Sequence, residues 1–415
     1  MPRLASLTTQ SLLGIGITRG WNLVRTIDNP NDYDTSYQDR FAYALAISGN
    51  YIIAGAPLED EAGGTGSGKA YIFDVTTGNL LHTLDNPNAY DTSTADSFGS
   101  SVAMSGNRAI VSTPSEDDAG GTSSGKAYIY NVTTGALVHT LDNPNDYDTS
   151  AGDAFGRDRA LEMDGDRAII GAPFEDDAGG TSSGKAYIFN VDTGALVHTL
   201  DNPNPNSPSS SDLFAANVSI SGNYAIAGAY GELQTGKAYI FNVTTGALVH
   251  TLDNPDADGS PASDSFGGAV AISGNYAIVG ANFEDDSDGN NSGKAYIFDV
   301  TTGNLVRTLD NPNAYDTPAG DNFGSTVKLN GNYAIVGANY ENDANGTESG
   351  KIYIFDVTTG DLLQTLDNPD ADGSATNDRF GYTIATSDNY MVVGGYLESD
   401  AGGIQSGKMY IYKRS

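Results

Sequence analysis

The chain has 415 residues, no cysteine, and 53 acidic against 20 basic residues, for a net charge of −33. Without cysteine there can be no disulfide, no thiolate metal site and no cysteine nucleophile. The acidic excess argues against nucleic acids and anionic membrane surfaces as partners, because both need clustered Lys and Arg. Glycine, at 51 residues, is close to twice its ordinary share. The apolar residues come in short runs rich in Ile, Val, Tyr and Phe, the mark of a folded β protein rather than a disordered acidic chain.

Residues 1–20, MPRLASLTTQSLLGIGITRG, come first and read as an extension. Their apolar patch, with Leu12, Leu13, Ile15 and Ile17, is far shorter than the roughly 18–20 residues a membrane span requires. No small-residue cleavage site follows it, so the segment reads as an anchor rather than a signal peptide. Trp21 to Ile27 is the first predicted strand. From there the chain repeats itself. The tripeptide Asp-Asn-Pro begins at Asp28, Asp85, Asp142, Asp201, Asp253, Asp310 and Asp367, at spacings of 52 to 59 residues. A Gly-Lys pair recurs in step, at Lys69, Lys126, Lys185, Lys237, Lys294, Lys351 and Lys408.

One repeat contains four predicted strands. After Phe98-Gly99 comes SSVAM, then the turn Ser105-Gly106-Asn107, then RAIVS. A polar loop from Pro114 to Gly125 leads to KAYIYNV, the turn Thr133-Thr134-Gly135 and ALVHTL. Alternation with period two and β-branched or aromatic residues mark the strands, and Gly-Asn and Thr-Gly supply the positive φ of tight hairpins. Seven such repeats predict an all-β fold, a seven-bladed β-propeller of four-stranded antiparallel blades. The last strand, Lys408 to Tyr412, corresponds to the third strand of a blade, and Trp21 to Ile27 corresponds to the fourth. Pairing the two closes the ring and removes its open edges. Residues 21–415 are thus the propeller and 1–20 lie outside it.

The run Asp153, Phe155-Gly156, then Gly171-Ala172-Pro173, an acidic loop, and Gly184-Lys185-Ala186-Tyr187-Ile188-Phe189 resembles the FG-GAP repeat. That resemblance implies the propeller of integrin α-subunits and of many bacterial and viral surface proteins. Gly-Ala-Pro is kept at Gly55 and Gly171, but becomes Ser112-Thr113-Pro114, Gly228-Ala229-Tyr230 or Gly280-Ala281-Asn282 elsewhere. Integrin-type repeats carry a calcium loop between the first two strands. Here that connection is the short Ser-Gly-Asn, so the family's usual metal site is missing from its usual place.

In an up-and-down blade the short turns share one face and the long loops the other. The long loops, those between blades and those between second and third strands, hold 43 of the 53 acidic residues. Such a face serves solubility. It also offers hard oxygen ligands for calcium. Two loops fit that demand best: Asp256, Asp258, Ser260 and Asp264, and Asp370, Asp372, Ser374 and Asp378, at relative positions 1, 3, 5 and 9. Two more offer positions 1, 3, 5 and 8: Asp32, Asp34, Ser36 and Asp39, and Asp146, Asp148, Ser150 and Asp153. None ends in the bidentate Glu of an EF-hand loop. Calcium is the only cofactor expected.

Four inter-blade loops carry Tyr33, Tyr90, Tyr147 and Tyr315 beside aspartates, a pairing suited to closing the loop or to contacting a glycan or receptor. The seven Gly-Lys lysines are expected to neutralise nearby carboxylates while their stems cover apolar surface. His82, His139, His198 and His250 share one slot on the outer strand with Arg25, Arg307 and Gln364. They are expected to face solvent, too far apart for one metal site or triad. No nucleophile–base pair and no pattern-breaking carboxylate in the channel is recognised, which disfavours a lyase or hydrolase.

The expected function is therefore a non-enzymatic structural or binding module on a virion surface. It would decorate the particle or bind a receptor, held to other virion or surface proteins through residues 1–20. The stretch LTTQSLLGIGI resembles the short N-terminal segments of marine phage structural proteins, in keeping with that setting. The alternative is a secreted, calcium-dependent adhesin at a cell surface.

Overall fold

In each blade the second and third strands are apolar along nearly their whole length. In Tyr51–Ala56 and in Lys69–Asp74 every residue but one is buried. A strand covered on both faces has no reason to alternate, and here the neighbouring blades supply both covers. Ile53, Ala70 and Ile72 of the first blade meet Phe98, Val111, Tyr128 and Tyr130 of the second. The apolar interior is thus divided among seams between blades rather than gathered in one centre. The outer strand Leu80–Asp85 buries only Leu84.

The computed structural model describes residues 20–31, 38–60, 64–88, 94–117, 121–145, 150–177, 180–204, 211–233, 235–256, 264–285, 290–313, 318–342, 346–369, 377–399 and 403–415. They form seven four-stranded antiparallel sheets, blades I to VII in chain order. Blade I comprises Ala44–Ser48, Tyr51–Ala56, Lys69–Asp74 and Leu80–Asp85, from the axis outward. Blade VII takes Thr383–Thr386, Tyr390–Gly395 and Lys408–Arg414 from the C-terminal end and Trp21–Asp28 from the N-terminal end. Trp21 lies opposite Arg414 and Asp28 opposite Lys408. The closing strand thus forms as expected and runs one residue further, to Asp28. Each outer strand also slips register against its neighbour, in blade I between Ile72 and Phe73. Such bulges blunt an exposed edge.

The signature glycines have a shared purpose at the seams. A Cβ on Gly55, at the end of the second strand of blade I, would lie 2.0 Å from the carbonyl oxygen of Gly99, which opens blade II. Two backbones touch there with no room for a side chain. Where one partner is not glycine, the other is: Gly156 faces Ser112, Gly171 faces Ala215 and Gly394 faces Ala42.

The short turns build one face. In blade I, Asp74 Oδ1 accepts the backbone N–H of Thr76 and Thr77 at 2.9 and 2.8 Å, and Gly78 closes the turn at φ 74°. The chain joins the propeller on this face. Ser415 N donates to Gly20 O at 3.0 Å, and Arg414 N donates to Asn389 O, in a short turn of blade VII, at 2.9 Å. The long loops lie at the opposite ends of the strands.

Candidate functional site

Most of the sequence's candidate ligands lie outside the described residues. These are Asp32, Asp34, Ser36, Asp146, Asp148, Asp258, Ser260, Asp370, Asp372 and Ser374, together with Tyr33, Tyr90, Tyr147 and Tyr315, and Leu12, Leu13, Ile15 and Ile17. The last acid of each candidate loop is described, and each is buried: Asp39, Asp153, Asp264 and Asp378. Asp39 Oδ2 accepts the side-chain amides of Asn29 and Asn31 at 2.9 and 2.7 Å. Asp153 takes Asn143 and Asn145 in the same way, at 2.8 and 2.7 Å. Asp96, Asp212 and Asp321 repeat the clamp in loops the sequence did not single out. The two loops with the most regular Asp spacing have an Asp in place of the second Asn. There Asn254 reaches Asp264 and Asn368 reaches Asp378, each at 3.0 Å. Asp256 instead accepts a hydrogen bond from Lys294. Among the described residues no group of three or more His, Cys, Asp or Glu is arranged to hold a metal ion.

A second set of acids is more deeply placed. Glu59, Glu116, Glu175, Glu232, Glu284, Glu341 and Glu398, one per blade, are all buried. Each accepts the phenol of a third-strand tyrosine, as Tyr128 donates to Glu116 at 2.7 Å and Tyr187 to Glu175 at 2.6 Å. In six blades the Gly-Lys lysine reaches the same carboxylate, from 2.7 Å at Lys408–Glu398 to 3.5 Å at Lys69–Glu59. In blade IV, Lys237 pairs with Asp253 instead, at 2.5 Å. The lysines do neutralise loop carboxylates, as expected, but the partner is an interior glutamate.

Sequence reasoning passed over these seven acids. The signal was a Glu ten residues before each Lys, kept as Glu232, five before Lys237, even where the blade IV loop is shortened.

Burial pushes the Glu59 carboxyl up to about 8, against the opposing pull of Tyr71 and Lys69. It pushes Glu175, Glu284 and Glu341 up to about 7. An unfolded Glu titrates near 4.3. Between roughly pH 4.5 and 8 the folded chain therefore holds protons that the unfolded chain has released, so stability falls as pH rises. Thermal melts at fixed ionic strength should show the midpoint falling from about pH 5 to about pH 8 and levelling above. Glu59→Gln should reduce that slope. A midpoint that climbs across the window contradicts the assignment.

The channel mouth holds the pattern break. Phe155 and Gly165 of blade III are ten residues apart, whereas Phe98 and Gly106 of blade II are eight apart. The two extra residues fall in Arg157-Asp158-Arg159-Ala160. Arg159 crosses the axis, donating to the carbonyls of Ser325 and Tyr382 and stacking 4.6 Å over the Tyr382 ring. Asp158 accepts the phenol of Tyr43 at 3.0 Å, and Tyr43 accepts that of Tyr382 at 3.1 Å. Burial raises the Tyr43 pKa, with Tyr382 and Asp158 adding to the effect. Deeper in, Lys328 bridges to Glu162 at 2.7 Å. The sequence reading of a channel without pattern-breaking carboxylates is thus corrected: Asp158 and Glu162 are both there. The signal was the 59-residue spacing from Asp142 to Asp201.

The outer-strand histidines are half-buried rather than solvent-facing. His82 lies 3.1 Å from Thr133 O, His139 3.0 Å from Asp192 O, His198 3.0 Å from Thr244 O and His250 3.2 Å from Thr301 O. Each contact crosses to the outer turn of the next blade. Arg25 and Gln364 make the same crossing, to Thr76 O at 3.2 Å and Trp21 O at 2.9 Å. Arg307 does so onto Thr358 O. His, Arg and Gln share the slot because each offers an N–H of the right reach.

Four-stranded blades arranged in a ring and closed by an N-terminal strand define a seven-bladed β-propeller. The FG-GAP repeat matches the chain seven times, over residues 31–73, 88–130, 146–189, 205–241, 256–298, 313–355 and 370–412. The chain therefore belongs to the FG-GAP repeat family, whose propellers are typically non-catalytic binding modules. No curated protein matches its sequence. No helix among the described residues is long and apolar enough to cross a membrane.

Proposed function

We propose that the protein is a non-catalytic binding head, displayed on the surface of a virion and joined to it through residues 1–20. The observation that carries this reading is the polarity of the molecule. The N-terminal segment meets the propeller at Gly20, on the short-turn face. The strand ends that lead into the long loops, whose sequence holds 43 of the 53 acidic residues, lie on the other. An attachment on one face leaves the opposite face free for a glycan or a host-surface receptor. The segment itself, apolar at Leu12, Leu13, Ile15 and Ile17 and basic at Arg3 and Arg19, suits a partner subunit better than it suits the acidic body. Like charges on the loops keep displayed copies from associating, and salt screens that repulsion. The axial polar groups engage one another, Asp158 with Tyr43 and Glu162 with Lys328, which favours recognition over catalysis.

Antibodies raised against the purified propeller, used for immunogold labelling of particles and cells from the producing culture, test the setting. Gold on particle surfaces is the expected result. Labelling confined to the cell interior overturns it. We further propose calcium in the inter-blade loops, on the strength of their Asp spacing alone. At 100 times its dissociation constant calcium should stabilise the fold by about 2.7 kcal/mol relative to chelator. Identical melting midpoints discard it.

A further inference from the structure

We propose that the arc formed by blades III to VI at the long-loop mouth is a saccharide site, and that its ligand is a neutral glycan. This rests on the reading of the chain as a binding head. The repeats are near-copies, so departures that gather in neighbouring blades mark a local purpose. After the second strand, blades I and II continue Pro57-Leu58 and Pro114-Ser115. Blade III has Pro173-Phe174, blade IV has Tyr230, and blades V and VI exchange the proline for an amide, as Asn282-Phe283 and Asn339-Tyr340. Blade VII also has a tyrosine there, Tyr396, but its ring packs on Tyr43 and Tyr382, 5.3 and 4.3 Å away, and does not line the arc's cavity.

These side chains of blades III to VI line one open cavity of about 370 Å³ beside the axis. That is within the range of small-ligand pockets, about 300–1,000 Å³. Phe283 and Tyr340, in adjacent blades, are 40% and 39% exposed. A sugar ring has an apolar C–H face and a rim of hydroxyls. Aromatic rings cover the first, and amide and phenol groups bond the second. Asn339 is held for this. Ser325 Oγ donates to its Oδ1 at 2.7 Å, which leaves its NH₂ group for a ligand oxygen.

Charge selects among glycans. The cavity's ionic groups are already engaged. Arg157 pairs with Asp158 at 3.3 Å and stacks 4.7 Å over Phe174, and Arg159 is bound to two carbonyls. Arg159 is thus spent on the backbone and the Arg157 charge is offset by Asp158, and the acidic loops around the wall repel polyanions. Two guanidinium groups in the same wall oppose a cation.

The test is an array of neutral and anionic glycans probed with the full chain, followed by calorimetry on the strongest binder at low and high salt. The expected result is binding to neutral glycans with an affinity indifferent to salt. Phe283→Ala and Tyr340→Ala should each weaken it about tenfold, the loss of one stacking contact. Phe283 is exposed, so its variant should leave the melting midpoint nearly unchanged, whereas Tyr340 also carries Arg379, 3.4 Å over its ring, and its variant is read against the affinity of a correctly folded fraction. Leu58→Ala, on the opposite arc, should leave affinity unchanged. Binding to no glycan, binding to anionic glycans alone, or full affinity in both aromatic variants overturns the proposal. Gold-labelled particles together with an empty array reject the saccharide site and leave the binding head standing. Glycan binding with unlabelled particles does the reverse for the virion setting.

Discussion

Gly55→Ala should destabilise the propeller by about 3 kcal/mol, the upper range for forcing a methyl into a packed site. The new Cβ would lie 2.0 Å from Gly99 O and 2.9 Å from Gly99 C, atoms of a backbone that is itself hydrogen-bonded. Gly99 N donates to Ser112 O at 3.0 Å, so the segment cannot withdraw without loosening blade II. Gly49→Ala separates steric from conformational cost. Gly49 has φ 56° and nothing within 4 Å of an added Cβ. Its replacement meets only the left-handed penalty, about 1–2 kcal/mol. Denaturant midpoints for the two variants measure the difference. Equal losses would mean that the seam yields and that close backbone approach is not what these glycines are for.

At about pH 8.5, above the pH near 7 at which Glu341 ionises, Glu341→Ala should cost about 3–5 kcal/mol, because it strands a buried cation. Glu341 is fully buried, Lys351 reaches it at 3.0 Å, and Tyr353 donates to it at 2.6 Å. The remaining partner, Asp367, is 3.7 Å from the lysine and largely exposed, too weak a substitute for the lost carboxylate. Glu341→Leu combined with Lys351→Met removes both charges and keeps the volume. That pair should recover most of the loss, since an apolar replacement of a buried ion pair is often neutral or better. Chemical unfolding of the single and double variants decides it. A single variant no worse than the double shows that the lysine finds adequate solvation elsewhere, and the glutamate is then no lock.

What the sequence made legible follows from how repetition works. Asp-Asn-Pro and Gly-Lys mark the same places in every blade, so strand order, blade number and ring closure could be read from their spacing. Trp21 to Ile27 announced itself as a fourth strand only by likeness to ALVHTL. The buried glutamates were hidden by abundance. Glu116 and Asp117 look alike in an acidic loop, yet one is enclosed with Tyr128 and the other caps the Ser123 amide at 2.8 Å. Composition cannot tell an interior carboxylate from a surface one, whereas a spacing that survives a deletion can. The histidines were misplaced for a related reason. A polar residue on an outer strand suggests solvent, but its partner is a carbonyl on the next blade, which no single repeat contains. The axial plug was hidden because the blade III insertion passed for loop variation. Once the blades are set around one axis, those two residues bring Arg159 to Ser325 and Tyr382, 166 and 223 positions away in the chain.

The claim that most needs a direct answer is the orientation of the head. The chain has no cysteine, so one introduced thiol reports one place. Asn50→Cys puts it on the short-turn face of blade I and Thr65→Cys on the long-loop face of the same blade, both at exposed positions. Each variant is assembled on intact particles and treated with a maleimide too large to pass between subunits. Rapid labelling at position 65 and protection at position 50 are expected on the particle, with equal labelling of both in the free protein. Protection at position 65, or equal labelling of both on the particle, contradicts a head held by its short-turn face with its acidic loops outward.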